Sequence, residues 1–592
     1  MISKVNEIKM HRVRWVLAIA WLVLIASLFY DPISHYLSDP NNLLSPFGDR
    51  IITLADDPTQ CVKVQGICLA EKPYPMGTRI FWGMVVPTAI AIVFVLGHET
   101  WRRICPLYFL SQIPRGLGLK PKLQIDKNQW LQRNHYYVQF ALLFVGLNFR
   151  ILFINSNRLV FGSFLLMTIF SAIAVVWLYG GRSWCHYVCP FGGVQTIFTG
   201  PRGLLDSQAH LAPPRSITQS MCRTLDSDSG SEISACTNCK SDCLDIDSEK
   251  SYWSDLSKPG RKLIQYGYLG LVSGYFAYYY LYAGNFSYYF SGAWTHEENQ
   301  LQTLFKPGFY LFNSPIPIPK LVAVPLTFTW FVAVSYLVCR CGQRVLFSYL
   351  KRHNPSIGRI QALHKFFSLC TFIAFNTFFI YGGRPEILRL PLWMQWMFNA
   401  LVVLVSTLWL CRTWNRSFEL YTQESQADRL RRQLQKLSID WSKLIEGRSL
   451  EQLKPNEIQV LARVLPGVTK QDRRSVYQHI LSEELKCDRF TPAQSKLALA
   501  QLRQELSLSD LEHEQILALA IAKRAEDIVS LAPAATKRYL DRLPKGLMQL
   551  GNKQPSPQKY RTQELPTQIN HRKRLPPYES SSRSTIEIKN GN

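Results

Sequence analysis

Apolar runs long enough to cross a bilayer alternate with polar, basic segments from the N-terminus to about Trp414. About twenty apolar residues in helical conformation match a hydrocarbon core of ~30 Å. Eight such helices are predicted, near Trp15–Tyr30, Ile80–His98, Tyr136–Ile154, Leu159–Tyr179, Leu263–Tyr282, Leu321–Val338, Phe366–Tyr381 and Leu392–Leu410. From about Ser417 the pattern becomes charged, with apolar residues at helical spacing in Glu457–Leu465 and Ile516–Ile521. Thr491-Pro492-Ala-Gln494 and Ser509-Asp-Leu-Glu512 read as helix starts, each a hydroxyl cap with Gln or Glu three residues on. After Gly546 the chain is rich in Pro, Gln, Ser and Arg, a composition expected to stay disordered. The predicted organisation is a transmembrane domain over 1–416 with a Cys-rich cytoplasmic region at 181–250, a helical domain at 417–545 and a basic tail at 546–592. The fold class is all-α: a polytopic transmembrane helical bundle with a cytoplasmic Cys-rich loop and a C-terminal soluble helical domain.

Charge sets the orientation. The net charge of +25 over 592 residues invites a nucleic-acid reading. That reading is set aside, because the basic residues flank apolar runs as cytoplasmic loops do. Lys4, Lys9, Arg12 and Arg14 precede the first run; Arg115, Lys120, Lys122, Lys127 and Arg133 precede the third. No small-residue cleavage site follows the first run, which is read as an uncleaved anchor. Both termini are therefore expected in the cytoplasm, in a bacterial inner membrane or another energy-transducing membrane, with the lipid bilayer as the first partner. The polar segment Asp31–Thr78 lies outside on this topology. It carries Cys61 and Cys68, read either as a disulfide in an oxidising compartment or as two free thiols.

The chemistry lies in the other cysteines. Gly181-Arg-Ser-Trp-Cys185-His-Tyr-Val-Cys189-Pro190-Phe-Gly192 sits where the fourth apolar run ends. A cysteine followed by proline is a feature of iron–sulfur loops. Cys236-Thr-Asn-Cys239-Lys-Ser-Asp-Cys243 follows, with Cys222 upstream and a polar spacer, Asp226-Ser-Asp-Ser-Gly-Ser, between. Soft thiolates select iron–sulfur or zinc. The candidate cofactor-binding residues are thus Cys185, Cys189, Cys222, Cys236, Cys239 and Cys243, and the metal ligands Cys185, Cys189, Cys236, Cys239 and Cys243. A cubane takes four thiolates, so six candidates exceed one cluster and fall short of two. Adding Cys105 and one further group would make two. A closed zinc site is the chemical rival. Cys339 and Cys341 stand at a predicted helix end as weaker candidates. Cys370 reads as a core residue, and Cys411 and Cys487 have no partners in sequence. Lys240 and Arg223 either offset thiolate charge or lie solvated. His98, His135, His186 and His364 fall near helix ends, where two could ligate haem, or stand as interfacial histidines.

The Cys-Pro segment also occurs earlier. Trp101-Arg-Arg-Ile-Cys105-Pro106 runs on to Gln112 and Pro114-Arg-Gly-Leu117, as Cys189-Pro190 runs on to Gln195 and Pro201-Arg-Gly-Leu204. This reads as a degenerate repeat, with Trp101 in the place of Cys185; chance likeness of two short loops is the alternative.

From Phe81 to Asp247 the chain resembles the membrane 4Fe-4S-binding family. That family includes the polytopic ferredoxin-like subunits of periplasmic nitrate reduction and of nitrous-oxide reductase maturation. The resemblance implies cytoplasmic Cys-Pro loops holding 4Fe-4S clusters that exchange electrons with quinol or cytoplasmic donors, and it marks Cys185 and Cys189 as cluster-associated. The chain departs from the family at Trp101 and in lacking the full C-x2-C-x2-C-x3-C-P run. The expected function is membrane-bound 4Fe-4S electron transfer with at least one cluster, exchanging with the quinone pool, as an electron-transfer component rather than a stand-alone enzyme. The alternative is a non-catalytic redox sensor or assembly factor.

Overall fold

The computed structural model describes residues 5, 7–37, 61–69, 76–123, 125–155, 157–205, 223–225, 232–234, 240, 243–245, 247–295, 297–388, 390–435, 448–464, 470–486, 500, 503, 506 and 508–531. Helix α1 (Glu7–Phe29) is followed by a two-stranded hairpin, β1 (Lys63–Val64) with β2 (Ile67–Cys68). Cys61 and Cys68 are disulfide-bonded across it, with their Cα atoms 5.6 Å apart. A short helix and a π turn over Phe81–Val85 lead into α2 (Val86–Ile104), and α3 (Pro106–Ser111) starts directly after Cys105. Helix α4 (Gln129–Phe149) begins at Asn128, whose side chain accepts from Leu131 N at 3.0 Å. Helix α5 (Arg158–Tyr179) begins likewise at Asn157. Each side-chain oxygen satisfies an amide left open by the first helical turn. A π turn over Trp184–Val188 then precedes α6 (Pro190–Thr199).

The polar spacer predicted after α6 is bracketed by a second hairpin, β3 (Arg223–Leu225) with β4 (Glu232–Ser234). Helices α7 (Ser248–Asp255) and α8 (Arg261–Ala283) follow, then the hairpin of β5 (Pro307–Leu311) with β6 (Ser314–Pro319). Three long helices close the bundle: α9 (Lys320–His353), α10 (Arg359–Gly382) and α11 (Leu392–Trp414). The sequence ends α9 near Val338. The helix instead continues through Gly342 to His353, because no proline follows Val338 until Asn354-Pro355. Cys339 and Cys341 therefore lie within a helix, one buried and the other exposed, and do not form the helix-end pair expected of ligands.

Among the described residues, seven helices are long and apolar enough to cross a membrane: Ile8–Phe29, Met76–His98, Gln129–Ile154, Arg158–Tyr179, Lys320–His353, Arg359–Gly382 and Leu392–Trp414. The protein is an all-α polytopic bundle. The remaining predicted crossing, α8, spans ~34 Å by its 23 residues. It carries Tyr and Gly where the others carry aliphatics, because most of its surface is buried inside the bundle. Several of its hydroxyls are bonded there: Tyr275 to Tyr279 at 2.7 Å, and Tyr278 to Gly308 O at 3.1 Å. One end of α8 adjoins the Cys-rich segment; at the other, Ala283 O accepts from Gln65 N of the disulfide hairpin at 3.1 Å.

Helices α12 (Phe418–Leu434), α13 (Pro455–Val464), α14 (Lys470–Lys486) and α15 (Asp510–Leu531) follow. Up to Ala520 they share a second core that includes Leu430, Leu453, Ile458, Tyr477, Leu481 and Ile516. Helix α15 starts with the reciprocal Ser509–Glu512 box. The start expected at Thr491, and the segment 546–592, lie outside the described residues.

Candidate metal centre

The repeat seen in sequence is a repeat in space. Helix α2 breaks at Gly97 (φ 79°, ψ 172°) and α5 stops at Gly180 (φ 70°, ψ −178°), a backbone region that only glycine enters freely. Cys105 (φ −58°, ψ 115°) and Cys189 (φ −53°, ψ 119°) share one extended conformation. The following proline imposes it, then opens a helix from its first position. Each loop's exit pairs with the helix of the other copy: Leu204 N bonds Phe94 O at 2.9 Å, and Leu123 N bonds Leu178 O at 2.7 Å. Gly203 lies so close to Gly97 that an added Cβ would stand 2.6 Å from its nitrogen.

This crossing brings three thiols together. Burial pushes the Cys105 thiol up to about 12, and the Cys185 thiol adds to the rise. Burial also pushes Cys189 up to about 12, with contributions from Cys185 and then Cys105. Cys185 is raised by burial too, against the opposing guanidinium charges of Arg102 and Arg182. All three are free thiols. The sequence counted Cys105 only toward a second cluster; its Cys-Pro dipeptide was the signal that it stands with the other two. Trp101, in the place of Cys185, packs its ring 5.3 Å from Phe191.

Beside the thiols lies a buried charge cluster that the sequence did not announce. Asp245 is met by His98 Nε2 at 2.9 Å, Arg102 Nη1 at 3.2 Å, Arg182 Nη1 at 3.5 Å and His186 Nε2 at 3.1 Å. Burial favours the neutral acid, but Arg102, Arg182 and His186 together hold the Asp245 carboxyl well below the usual carboxylate range. Burial and the Arg102 charge lower His186 to about 3, against the pull of Asp245. The Cys243 thiol sits 3.8 Å from Asp245 Oδ2 and 4.0 Å from His186 Nε2. His186, Cys243 and Asp245 have the composition of a metal site. Arg102 already supplies a cation there, 3.2 Å from His186 Nδ1 and 3.2 Å from Asp245 Oδ1.

The rest of the Cys-rich segment is tied down by further ion pairs. Lys240 reaches Asp255 at 3.3 Å, and Tyr136 donates to the same carboxylate at 2.7 Å. Burial lowers the Lys240 amine, while Asp255 and the Cys243 thiol raise it, so this amine faces both. Glu249 binds Arg202 and Arg416, and Tyr421 of α12 donates to Asp247 at 2.6 Å.

The remaining candidates separate. Cys222, Cys236 and Cys239 lie outside the described residues, and Arg223 is described only as part of a strand. Cys370 is buried and Cys411 exposed. Of the four histidines near helix ends, His98 and His186 converge on one carboxylate, His135 Nδ1 contacts Gln132 O, and His364 contacts Thr413 O and the Tyr252 hydroxyl. His98 Nδ1 and His135 Nε2 have no hydrogen-bond partner among the described residues.

The donor chemistry fits an iron–sulfur centre. Three half-buried thiols with two neighbouring guanidinium groups suit thiolates, whose charge needs compensation where water is scarce. Comparison with curated proteins and with solved structures gives no match. Residues 163–206 match the family model of the 4Fe-4S binding domain, a stretch that holds Cys185, Cys189 and the Pro-Arg-Gly-Leu exit. With that match on the second Cys-Pro loop, the chain is an iron–sulfur protein with a 4Fe-4S cluster.

Proposed function

We propose that this protein is a membrane-bound electron-transfer component that passes single electrons between its cluster and the quinone pool. The convergence of Cys105, Cys185 and Cys189 at the ends of apolar helices carries the reading. These thiols would hold the cluster, together with a fourth from the Cys-rich segment (Cys222, Cys236, Cys239 or Cys243). When bound, the cluster supplies one-electron redox chemistry. The chain's own part is to hold the thiols, to set Arg102 and Arg182 against their charge and to exclude water.

An apolar cavity of about 780 Å³ supports the quinone as partner. Its wall includes Pro190, Phe191 and Val194 of α6, the helix that begins beside Cys189, and extends to Trp82 and Arg150. Trp82 Nε1 and Arg150 Nε have no hydrogen-bond partner among the described residues, so each can donate to a carbonyl. A lipid-soluble carrier with a carbonyl ring suits such a space.

The topology proposed with it is multi-pass in a bacterial inner membrane, with α8 as an eighth crossing and both termini cytoplasmic. The two ends of α8, one at the Cys-rich segment and one at the disulfide hairpin, support the crossing. A second reading, a redox sensor or assembly factor, draws on α12, whose Tyr421 and Glu424 bind the Cys-rich segment and Arg202. Anaerobic purification with iron and sulfide analysis and EPR, followed by mixing with a quinol, tests both. A reducible cluster that exchanges electrons with quinol is expected; a cluster inert to every quinol favours the sensor.

A further inference from the structure

The two Cys-Pro loops carry the same polar frame with two residues exchanged. His98, Arg102 and Cys105 stand at the spacing of Arg182, His186 and Cys189. Histidine in one loop takes the place of arginine in the other, and arginine that of histidine. Both pairs close on the two oxygens of Asp245: His98 and Arg182 on Oδ1, His186 on Oδ2, Arg102 on both. Asp245 belongs to neither loop. It is two residues beyond Cys243, and its side chain is 2 % exposed. A carboxylate so enclosed is tolerated only where cations and donors meet it. The paired loops form a socket for one carboxylate, and the chain that enters it carries a thiol.

We propose that Asp245 is a positioning residue: by docking in this socket it delivers Cys243 as the fourth thiolate to the cluster of Cys105, Cys185 and Cys189. This rests on the function proposed above and narrows its ligand set. The surroundings fit the assignment. The Cys243 thiol faces His186, the neighbour of Cys185 in sequence, and Lys240. Arg102 faces Cys105 and Cys185 while it binds Asp245, so one guanidinium serves both the socket and the thiolates. A merely structural salt bridge would not need a socket built from both Cys-Pro loops.

The test uses the full chain, purified anaerobically from membranes as wild type, Asp245→Asn, Asp245→Glu, Cys243→Ser and Cys411→Ser. Iron, acid-labile sulfide and EPR are read on each, with size-exclusion in detergent to check folding. Asp245→Asn is expected to lose at least tenfold in iron and sulfide per chain, and Cys243→Ser to match it. Asp245→Glu, which keeps the charge, is expected to recover part of the cluster with a displaced reduction midpoint. A tenfold change in the one-electron equilibrium reads as about 59 mV. Cys411→Ser is expected to match wild type. Cys243→Ser leaves the ion cluster whole, so it decides the matter if Asp245→Asn does not fold. A folded Cys243→Ser protein with full iron and an unchanged EPR signal overturns the proposal. So does Asp245→Asn with four irons and an unshifted midpoint. A wild-type protein without a cluster overturns the proposed function instead, and the two failures are distinct.

Discussion

Substituting Gly203 by alanine tests whether the crossing of the two loops holds the metal centre together. The new Cβ would meet only backbone: Gly97 N at 2.6 Å, Gly97 Cα at 2.7 Å and Phe94 O at 3.3 Å. None of these is the far end of a flexible side chain, so the two segments must part by about 0.8 Å to restore ordinary contact. Overpacking of this kind costs ~1–3 kcal/mol. The same movement stretches two backbone bonds, Leu204 N to Phe94 O at 2.9 Å and Leu205 N to Val95 O at 2.6 Å. Each contributes ~0.5–1.5 kcal/mol. Together these give a destabilisation of roughly 2–6 kcal/mol, applied one residue from His98. The matched control is Gly116→Ala, where an added Cβ meets nothing within 4 Å. Thermal unfolding in detergent and iron content per chain are the assays. Gly203→Ala is expected to unfold at lower temperature and carry less iron, with Gly116→Ala like wild type. Equal stability and equal iron in both variants would refute the claim that the exit of the second loop braces the first.

Cys105→Ser and Cys189→Ser are each expected to remove most iron and the EPR signal, because a hydroxyl is a poor, hard replacement for a thiolate; full iron in the Cys105 variant would exclude that residue from the ligand set. Tyr136→Phe removes the donor to the buried Asp255 carboxylate and is expected to cost ~1–3 kcal/mol in a denaturant or thermal assay, with unchanged stability counting against the bond. Replacing Cys61 and Cys68 by alanine is expected to loosen the hairpin docked on Ala283 by about 2–3 kcal/mol, read as faster local proteolysis near residue 65. Alkylation of both thiols without prior reduction would show that the bond is absent from the native protein. Membrane-impermeant thiol reagents applied from outside are expected to leave Cys243 unlabelled; labelling there would sink the topology.

The bundle was legible because burial in a bilayer writes itself in residue choice. Seven crossings show as aliphatic runs, while α8 departs because its neighbours, not lipid, cover it, and tyrosine can serve where hydroxyls find partners. The extension of α9 was missed because Arg340, Gln343 and Arg344 look like a loop, although a helix leaving the membrane tolerates them. Within the centre, Cys185 and Cys189 announce themselves by spacing. The nearness of Cys105 to them was less legible, because its loop lacks the second cysteine. The charge cluster was invisible for a different reason: its five members come from three separate segments. Only the loop crossing makes them neighbours. His98 and Arg102 share the spacing of Arg182 and His186, but histidine and arginine trade places, so neither position repeats in kind.

The unequal division of thiols between the loops bears on how the protein is made. Cys105 follows α2, and Cys185 and Cys189 follow α5, with α4 and α5 between. On this ligand set neither loop alone offers the four thiolates a cubane takes. A nascent chain with only its first helices inserted would present a single cysteine to an iron donor, and that thiol would be a poor ligand. Metal loading would therefore come late, after the first half of the bundle has been inserted and the exits have crossed. It would act as a checkpoint on assembly: a chain with misplaced helices would stay apo, open at the socket and exposed to proteolysis, before any electron reached it.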